Sequence, residues 1–596
     1  MSDETIVKMF HEQVERLGDR AALKRRRQGG LWESITWNEY YRAVREFGLG
    51  LVSMGFEPGQ MMAVFSNNRP EWHMADLGCM TMGGVTVPIY QTSASDQIVY
   101  ILNHSEARYI VCENTGFAQK ILDLREKLET VQRVVLMDGS VDDDFVVGFD
   151  EVRKLGRELD SQEPKLYEER SSAVSPDDLA TLVYTSGTTG MPKGVELTHG
   201  NIAWTVRSLQ QVVEANEYDR SLSFLPLSHI LERLVSHFSQ IANGTTTWFA
   251  ESIDTLVRDL QDCQPTIMVA VPRVWEKAYN RIKEGIEEST GLRHTLATKA
   301  IELGLKAVEA EQAGRSIGIL DALQLAVFDR LVFSKIRSQL GMNSVRMAFS
   351  GAAPLNTEVC KFFHAIGVRI REGYGQTEDC GPTSVNPAEK IKIGTVGPPI
   401  PGVTVKIAED GEILVKGGNV FRGYYKNPEA TSETLIDGWL HSGDIGTQDD
   451  DGYLTITDRK KDLIITAGGK NVAPQELESR LQLAPLIDQA VVVGDGRKFL
   501  AALITLDQEA AEKWAASKGK SGSLSELVND EDLQAEVQKI IDEVNSHFSS
   551  AESIKKFKIL DKPFTIDGGE ITPTLKVRRR NIVQKYASLI EEIYAS

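Results

Sequence analysis

The sequence from Tyr184 to Gly194, YTSGTTGMPKG, follows an apolar and β-prone run, Leu179–Tyr184. This order predicts a buried strand that leads into a flexible loop. Such a loop can turn backbone N–H groups and hydroxyls toward a polyphosphate, because glycine has no Cβ to block close approach. An ordinary surface turn is the alternative, but six consecutive Ser, Thr and Gly residues before Pro-Lys-Gly favour phosphate binding. The residues that we expect at the phosphates are Thr185, Ser186, Gly187, Thr188, Thr189, Gly190 and the cation Lys193.

The loop differs from the phosphate loop of kinases and GTPases, which requires the pattern G-x-x-x-x-G-K-[ST]. Here the residue five positions after Gly187 is Pro192, and Gly194 follows the lysine. The loop instead resembles that of the AMP-forming acyl-activating enzymes, the ANL superfamily of acyl-CoA synthetases, luciferases and peptide-synthetase adenylation domains. The resemblance implies that the loop holds the β- and γ-phosphates of ATP. It also implies that Thr185 is a catalytic residue and a ligand of Mg²⁺.

The length and composition of the chain narrow the classes of function. A chain of 596 residues suggests about three or four domain-sized units. Its 41% hydrophobic and 25% charged residues are typical of a soluble globular protein. The formal charge of −19 argues against a nucleic-acid binder that works by neutralising phosphates. An anionic substrate must therefore meet a local basic pocket, because the overall field repels it.

Cysteine placement and apolar runs indicate the cellular compartment. The five cysteines are scattered without a C-x-x-C pair, which fits a reducing compartment and argues against a thiolate zinc site. The first residues lack the apolar run of a signal peptide, and no stretch reaches the roughly eighteen apolar residues of a spanning helix. Thr5–Leu17 predicts a helix packed on its own domain rather than a basic membrane anchor. We expect a cytoplasmic protein, with peripheral contact with a membrane left open.

Strand-like and helix-like segments alternate from Phe47 to Leu136, which predicts a largely parallel sheet with helices on its faces. Residues 138–178 are rich in Asp, Glu, Ser and Lys, and we expect a solvated connection there. Residues 277–340 carry Leu, Ile and Ala at helical spacing among charged residues and predict a helical insertion. The predicted strands are Met61–Ser66, Ala107–Cys112 and Val131–Met137, and the predicted helices are Gln97–Leu102 and Phe117–Leu128.

Two further strand ends carry the residues that we assign to the acyl substrate. They are SFLPLSH at Ser223–His229 and MAFSGAAPL at Met347–Leu355. The resemblance implies that His229 lies beside the acyl carboxylate, and we place Gly351 and Ala352 in the same site. A lone histidine is more often simply packed or exposed, so this assignment depends on its sequence context.

The motif EGYGQTE at Glu372–Glu378 completes the nucleotide site that the resemblance implies. Tyr374 would stack on adenine, Thr377 would contact the AMP phosphate, and Glu378 would act in catalysis by helping to hold Mg²⁺. An aromatic face suits a purine, and a hard carboxylate oxygen suits Mg²⁺ bound mainly through substrate phosphates. A turn capped by a glutamate is the ordinary alternative. The residues of this motif assigned to the nucleotide are Tyr374, Gly375, Gln376 and Thr377.

The sequence after residue 393 predicts a change of architecture. Residues 394–413 are rich in Gly and Pro with short alternating runs, which predicts a small β-barrel. Asp444 lies in the frame WLHSGD and matches the ribose-binding aspartate of the acyl-activating enzymes. The charge run DRKKD is by default a solvated surface. The resemblance to the acyl-activating enzymes implies that Arg459 reaches the ribose and that Lys461 is a hinge between two domains. We therefore divide the chain into an N-terminal AMP- and acyl-binding domain, residues 1–460, and a C-terminal domain, residues 461–596.

The C-terminal domain carries the last predicted site residues. The run GGEITPTLKVRRR at Gly568–Arg580 resembles the loop of the catalytic lysine, which implies that Lys576 bridges the carboxylate and the α-phosphate. We assign Gly468, Gly469 and Lys470 to the CoA side. The predicted fold is thus α/β: a large N-terminal domain of stacked α/β sheets plus a small β-barrel, followed by a small mobile α+β C-terminal lid.

Three features favour a long-chain fatty acid–CoA ligase. PRVWEK at Pro272–Lys277, PLSHILER at Pro226–Arg233 and the helical insertion resemble long-chain and bubblegum-type synthetases. In some long-chain enzymes a tryptophan near this position gates the acyl tunnel. Arg233 stands near that place in this sequence, so we do not expect the same gate here. The chain ends shortly after the Lys576 loop, which favours free CoA as the thiol substrate over a fused carrier domain. The other expected co-substrate is ATP, and the expected cofactor is Mg²⁺. A fatty acyl-AMP ligase for a carrier protein, a ligase for medium-chain or aryl acids, and a non-enzymatic nucleotide sensor are the alternatives; no oligomeric state is predicted.

Overall fold

The structure is a computed structural model that describes residues 4–27, 30–185, 191–550, 552–566, 568–572 and 577–595. The predicted catalytic Lys576 and five predicted residues of the phosphate loop lie outside these ranges: Ser186, Gly187, Thr188, Thr189 and Gly190. Thr185 and Lys193, at the two ends of that loop, lie within them.

Helices and strands alternate through residues 4–198, a longer range than the Phe47–Leu136 alternation that the sequence predicts. The first helix begins where the Thr5 hydroxyl accepts a hydrogen bond from the Lys8 backbone N–H at 3.1 Å. In chain order the elements are α1 Ile6–Leu17, β1 Ala21–Arg26, β2 Trp32–Thr36, α2 Trp37–Ser53, β3 Met61–Phe65, α3 Pro70–Thr81, β4 Val85–Ile89, α4 Ser95–Ser105, β5 Tyr109–Cys112, α5 Thr115–Leu122, β6 Arg133–Leu136, β7 Val146–Gly148, α6 Phe149–Gln162, α7 Leu166–Ser172, β8 Leu179–Thr185 and β9 Lys193–Thr198.

Residues 199–385 continue this alternation and contain the predicted helices of the 277–340 segment. Two π-helical turns, Leu234–Phe238 and Asp329–Phe333, interrupt helical stretches. The elements are α8 His199–Leu209, β10 Arg220–Ser223, α9 Ile230–Arg233, α10 Ser239–Asn243, β11 Thr246–Phe249, α11 Leu256–Cys263, β12 Ile267–Ala270, α12 Pro272–Glu287, α13 Gly291–Gln312, α14 Ile319–Phe328, α15 Ser334–Gln339, β13 Met347–Ser350, α16 Thr357–Ala365, β14 Ile370–Tyr374 and β15 Ser384–Val385.

The remaining residues form mostly antiparallel strands and then a compact α+β unit. The elements are β16 Thr404–Ile407, β17 Glu412–Lys416, β18 Gly423–Tyr424, α17 Pro428–Thr434, β19 Leu435–Ile436, β20 Trp439–Gln448, β21 Leu454–Arg459, β22 Ile464–Ile465, β23 Asn471–Val472, α18 Pro474–Leu481, β24 Ile487–Val493, β25 Leu500–Leu506, α19 Gln508–Ser517, α20 Leu524–Leu527, α21 Glu531–Asn545, β26 Ile554–Ile559, α22 Arg579–Lys585 and α23 Ala587–Ala595.

Two large, mainly parallel sheets form the body of the N-terminal part. Among the described strands, one sheet has the order β18-β9-β8-β4-β3-β5-β6-β7, and the other has the order β15-β14-β13-β12-β10-β11-β1-β2. The strands β3 to β7 pair in parallel, which confirms the sheet predicted from the alternation. Every residue of α3 except Glu71 is buried, as expected for a helix enclosed on all sides by the protein interior. The predicted α/β fold class is therefore confirmed.

The segment 138–178 corrects one prediction, because it is not merely a solvated connection. It contains β7, α6 and α7, and it buries Phe149, Val152 and Tyr167. The helices α6 and α2 pack so closely that a Cβ on Gly156 would lie 1.8 Å from the carbonyl oxygen of Glu46. The charged outer face of α6, which carries both acidic and basic residues, dominates its composition and conceals the narrow apolar stripe that packs inward.

Two smaller units follow the large sheets. Strands β16, β17, β20 and β19 pair in that order with β21 also on β20, an antiparallel sheet in the region of the predicted barrel. The C-terminal part has the sheet β24-β25-β26, with separate apolar clusters on its two faces. None of the described helices is both long enough and apolar enough to cross a membrane.

Candidate active site

A cavity of about 1310 Å³ lies where strands of the large sheets end and the C-terminal part begins. Crevices at the carboxyl ends of parallel strands are the usual ligand sites of open α/β sheets, because the loops after the strands converge there. Thr185 ends β8, Gly351 follows β13 and Tyr374 ends β14, and all three line the cavity. The predicted site residues in its wall are Thr185, His229, Gly351, Ala352, Tyr374, Gly375, Gln376, Thr377, Glu378, Asp444, Arg459 and Lys461.

Tyr374, Asp444 and Arg459 form a polar cluster in the cavity wall. The Tyr374 hydroxyl donates to Asp444 Oδ2 at 2.8 Å, and Arg459 Nε lies 3.2 Å from Asp444 Oδ1. The pairing of β20 with β21 sets Asp444 opposite Arg459, so strand register fixes this contact. The cluster presents a carboxylate, a cation and an aromatic ring to one space, as a nucleoside requires.

Glu378, Tyr424 and Lys193 form a second cluster. The Tyr424 hydroxyl donates to Glu378 Oε1 at 2.8 Å, and Lys193 Nζ lies 4.6 Å from the centre of the Tyr424 ring. The pairing of β18 with β9 brings Tyr424 to this position. Lys193 is not among the residues that line the cavity, and Tyr424 connects it to Glu378.

The protein oxygen atoms at the cavity could bind Mg²⁺ only together with oxygen atoms of the substrate phosphates. Glu378 and Thr185 both line the cavity and offer one carboxylate and one hydroxyl. No group of three or more His, Cys, Asp or Glu residues that could hold a metal ion occurs in the described ranges. Mg²⁺ commonly takes one or two protein ligands and completes its shell with phosphate and water, so the residues present are compatible with that mode.

The turn after β14 depends on close backbone packing. A Cβ on Gly375 would lie 1.6 Å from the carbonyl oxygen of Gly381, so a side chain at this position cannot be accommodated. The Gln376 backbone N–H donates to Asp379 Oδ1 at 2.7 Å, and the Thr383 hydroxyl donates to Asp379 Oδ2 at 2.6 Å. Burial raises the pKa of Asp379 well above its usual range. The turn thereby fixes Glu378, which lies within it, relative to Tyr374, which precedes it.

The acyl-side predictions converge on an apolar part of the same cavity. His229 caps α9, and its Nδ1 accepts from the Leu231 N–H at 3.2 Å. Ala352 adopts a left-handed φ of 70°, a strained conformation for a residue with a Cβ. The apolar lining residues include Ile230, Leu234, Val235, Val269 and Phe349. Arg233, which we expected near the tunnel, is fully buried and does not line the cavity.

Three buried carboxyl groups in the cavity wall were not predicted. Burial raises the pKa of Glu276 to about 7, of Glu372 to about 7 and of Asp458 to about 6. Each lies in or beside a motif that the sequence singles out. Nothing in the sequence distinguishes them from exposed acids, because their burial depends on elements distant in the chain.

The C-terminal part reaches the cavity with one face. Thr572 and Val577, the described residues on either side of segment 573–576, both line it. The predicted CoA-side residues Gly468, Gly469 and Lys470 do not, and Lys470 Nζ lies 3.1 Å from Glu552 Oε1. The structure therefore brings the described neighbours of Lys576, but not the β22–β23 hairpin, to the wall of the cavity.

One ion pair links the C-terminal part to α12. Arg273 Nη2 lies 2.6 Å from Asp488 Oδ1, and both side chains are largely buried. Arg273 also lines the cavity, close to Glu276 on the same helix. Sequence analysis missed this pair, since its residues are more than two hundred positions apart.

Comparison with known protein families shows which family the chain belongs to. A family model described as AMP-binding enzyme matches residues 10–425, and one described as AMP-binding enzyme C-terminal domain matches residues 461–596. The chain belongs to the AMP-binding enzyme family. The predicted resemblance to AMP-forming enzymes is thus confirmed.

Curated relatives of this AMP-binding enzyme match over nearly the whole chain. It is 41% identical over 569 residues to a Mycobacterium bovis protein named long-chain-fatty-acid–CoA ligase FadD15, covering 95% of this chain and 93% of that protein. It is 34% identical over 632 residues to a Rattus norvegicus protein named long-chain-fatty-acid–CoA ligase ACSBG2, covering 99% and 93%.

Solved structures support the fold of this AMP-binding enzyme. The adenylation domain of a carboxylate reductase from Mycobacterium chelonae matches with a TM-score of 0.77 at 21% identity, covering 100% of this chain and 92% of that one. An O-succinylbenzoate coenzyme A synthetase from Bacillus subtilis, in complex with ATP and a magnesium ion, matches with a TM-score of 0.66 at 22% identity, covering 96% and 98%. At such identities the likeness concerns the fold alone.

Proposed function

We propose that this AMP-binding enzyme is an ATP-dependent, AMP-forming long-chain fatty acid–CoA ligase. The observation that carries the proposal is one cavity in which the Tyr374–Asp444–Arg459 cluster adjoins an apolar extension behind His229. A nucleotide and an aliphatic chain can thereby meet at one point. Relatives that match over nearly their full length are named long-chain-fatty-acid–CoA ligases. Their names support a long-chain fatty acid and CoA as the substrates of this chain.

The first half-reaction must make a carboxylate electrophilic. A carboxylate oxygen attacks the α-phosphorus of ATP, the bond from that phosphorus to the bridging oxygen breaks, and pyrophosphate leaves with the electron pair. Charge spreads over the phosphoryl oxygens in the transition state, so donors aimed there in advance lower the barrier. The acyl-AMP that forms has a good leaving group, which the free acid lacks.

We assign the nucleotide to the two polar clusters. Adenine stacks on Tyr374, the ribose hydroxyls donate to Asp444, and Arg459 lies beside them. Thr185, Lys193 and the loop between them hold the β- and γ-phosphates, with Thr377 at the α-phosphate. Mg²⁺ held through Glu378, Thr185 and the phosphates would neutralise charge on the phosphoryl oxygens.

We assign the catalytic cation to Lys576. Its described neighbours Thr572 and Val577 line the cavity, which supports a position within reach of the α-phosphate. A lysine there would bridge the attacking carboxylate and the phosphoryl oxygens, which otherwise repel each other. His229, Gly351 and Ala352 would hold the carboxylate end of the acid.

The second half-reaction forms the thioester. The thiol sulfur of CoA attacks the acyl carbonyl, the bond to the phosphate oxygen breaks, and AMP leaves. The thiol needs the side of the carbonyl that the Lys576 segment would occupy, so we propose that residues 461–596 rotate about Lys461 between the two steps. Gly468, Gly469 and Lys470, now turned away from the cavity, would then face the thiol.

The test is acid-dependent ATP–pyrophosphate exchange with acids from acetate to oleate, followed by mass spectrometry of the product with and without CoA. We expect exchange that rises with chain length and a CoA thioester only when CoA is present. Each buried methylene contributes about 0.8 kcal/mol, so a long acid should be strongly preferred over acetate. No exchange with any acid would indicate a nucleotide sensor, and exchange without thioester would indicate transfer to a carrier protein.

Lys576→Ala tests the catalytic assignment. We expect exchange to fall by about 10²–10³-fold, as for other preorganised charge-stabilising donors. Thioester formation from preformed acyl-AMP should be largely spared, because the α-phosphate is no longer attacked in that step. Lys562→Ala, an exposed lysine of the same domain that does not line the cavity, is the matched control. Equal loss in both half-reactions would contradict the assignment.

A further inference from the structure

The helix α14 exposes an apolar face that the proposed chemistry does not use. Four of its large side chains and one from the π-helical turn after it point to solvent, with exposed fractions of 82, 79, 62, 55 and 52%. No residue of α14 is buried. We call this set the α14 face: Ile319, Leu320, Leu323, Val327 and Leu331.

The opposite side of α14 explains how the helix is held. Leu325, Phe328, Val332 and Ile336 are partly buried against the apolar cluster around α12, α13 and α16. These residues and the α14 face each follow helical spacing, so the helix carries two apolar stripes. The inner stripe anchors it, whereas the outer one has no role in folding. Single exposed apolar residues are ordinary, but a contiguous exposed stripe marks an interaction surface.

The charges around the α14 face are positive. Arg315, Arg330 and Lys335 are exposed, and they form no ion pair with any residue that the structure describes. The two acids of the segment are already neutralised, Asp321 by Lys306 at 2.8 Å and Asp329 by Arg337 at 2.7 Å. An apolar face bordered by unpaired cations therefore occurs on a chain whose net charge is −19.

We propose that the α14 face docks on the surface of an anionic lipid bilayer. Its apolar side chains would enter the boundary between headgroups and acyl chains, and Arg315, Arg330 and Lys335 would meet lipid phosphates. The negative net charge of the rest of the chain would orient this face toward the lipid, since other surfaces are repelled.

A second copy of the chain fits the face less well. In an isologous dimer the same surface of both subunits forms the interface. Arg315, Arg330 and Lys335 would then lie close to the same three cations of the second copy and repel them. A standard protein interface also uses about 20–30 residues a side, whereas the α14 face offers five large side chains. Charge and size together favour lipid.

Docking would place the enzyme where its acid is dissolved. The helix α12, which packs in the same helical layer, contributes Arg273 and Glu276 to the cavity. This consequence rests on the proposed function, but the docking itself does not. Separate measurements therefore test the docking and the proposed function. Vesicle binding can fail while pyrophosphate exchange persists, and exchange can fail while vesicle binding persists.

The experiment is co-sedimentation of the full chain with vesicles of equal parts phosphatidylcholine and phosphatidylglycerol, compared with phosphatidylcholine alone. We expect binding to the anionic vesicles that weakens as salt is raised. L320Q/L323Q/V327Q should lower the partition coefficient by about tenfold or more, and R315Q/R330Q/K335Q by a similar factor at low salt. Glutamine is a good helix former and all six positions are exposed, so folding should persist.

Matched controls remove equal apolar area or charge elsewhere. L31Q/I253Q/I436Q replaces three exposed apolar residues, and K8Q/K154Q/K539Q removes three exposed cations. Neither should change binding by more than about twofold. The proposal is wrong if the wild-type chain does not bind anionic vesicles, or if the controls weaken binding as much as the α14 variants. It is also wrong if sedimentation velocity without vesicles shows a dimer that L320Q/L323Q/V327Q converts to monomer.

Discussion

At the scale of single residues, Asp444 offers the most direct test of the nucleotide cluster. Its carboxylate contacts both Tyr374 and Arg459, and Asp444 lines the cavity. Asp444→Asn keeps the shape but loses the charge. Hydrogen bonds to a charged group contribute about 1.5–3 kcal/mol, so KM for ATP should rise by roughly 10- to 100-fold, with a smaller change in kcat.

Pyrophosphate exchange at varied ATP concentration measures the effect of Asp444→Asn. Asp450→Asn, which alters an exposed acid beyond the same strand β20, is the control and should leave KM unchanged. An Asp444→Asn enzyme with wild-type KM would show that the ribose binds elsewhere.

Burial of Glu276 predicts how the stability of the folded protein depends on pH. Its pKa is raised to about 7 from an ordinary 4.5 by burial, so the folded protein keeps a proton that the unfolded chain loses between those values. Stability therefore falls as pH rises through this window. Glu276→Gln cannot lose a proton, so at pH 8 it should be more stable than the wild type by about 1–3 kcal/mol. Below the unfolded pKa the two proteins should be nearly equal.

Thermal unfolding of both proteins at a series of pH values checks this sign. Glu287→Gln, on the exposed side of the same helix, should track the wild type at every pH. A stability difference that is constant with pH would mean that Glu276 is ionised in the folded state.

Single residues also show what sequence patterns can and cannot predict. Tyr374 and Asp444 lie in recognisable frames, and the structure brings them together although seventy positions separate them. Glu276 also lies in a quoted motif, yet its protonation follows from burial by surrounding elements. Motifs record local chemistry, whereas the dielectric around a side chain is a property of the folded whole.

At the scale of elements, α9 and the π-helical turn after it are tied to α3 through the buried Asp76. Arg233 pairs with Asp76, both fully buried, and His237 Nε2 lies 2.9 Å from Asp76 Oδ2. Arg233 Nη1 also donates to the Thr181 hydroxyl at 2.5 Å. The pair fixes the segment that carries the lining residues Ile230 and Leu234, so Arg233 acts as a support behind the cavity wall rather than as a gate.

Breaking this pair should be costly. Asp76→Asn leaves the Arg233 guanidinium buried without a counter-charge, which should destabilise the protein by about 3–5 kcal/mol. Arg233→Met with Asp76→Leu removes both charges and should recover much of that loss. Urea denaturation of Asp76→Leu, of Arg233→Met and of the variant that carries both forms the double-mutant cycle. Strict additivity of the single losses would show that the two side chains are energetically independent.

Elements also differ in how well their sequence predicts them. The alternation from Phe47 to Leu136 predicts the parallel strands, because apolar runs and turns are both local signals. The helix α6 was missed because only one stripe of it is apolar. Its charged outer face is typical of a linker, and only the contact with α2 shows otherwise.

At the scale of the whole molecule, the position of the C-terminal part would distinguish the two half-reactions of the proposed mechanism. Thr572 and Val577 line the cavity, while Lys470 pairs with Glu552 away from it. We interpret this arrangement as the adenylating one. The ion pair between Arg273 and Asp488 crosses between the two parts and should favour this position over the alternative.

Loosening that ion pair should shift the balance between the steps. A partly exposed pair contributes up to about 1 kcal/mol, so Asp488→Asn should lower pyrophosphate exchange by roughly two- to fivefold. Thioester formation from preformed acyl-AMP should be equal or faster, because it needs the other position. R273D/D488R, which exchanges the two charges, should restore part of the exchange rate, and Glu509→Gln, which breaks a pair within the C-terminal part, should change neither step. If Asp488→Asn slows both steps equally, the pair supports folding and does not select between positions of the C-terminal part.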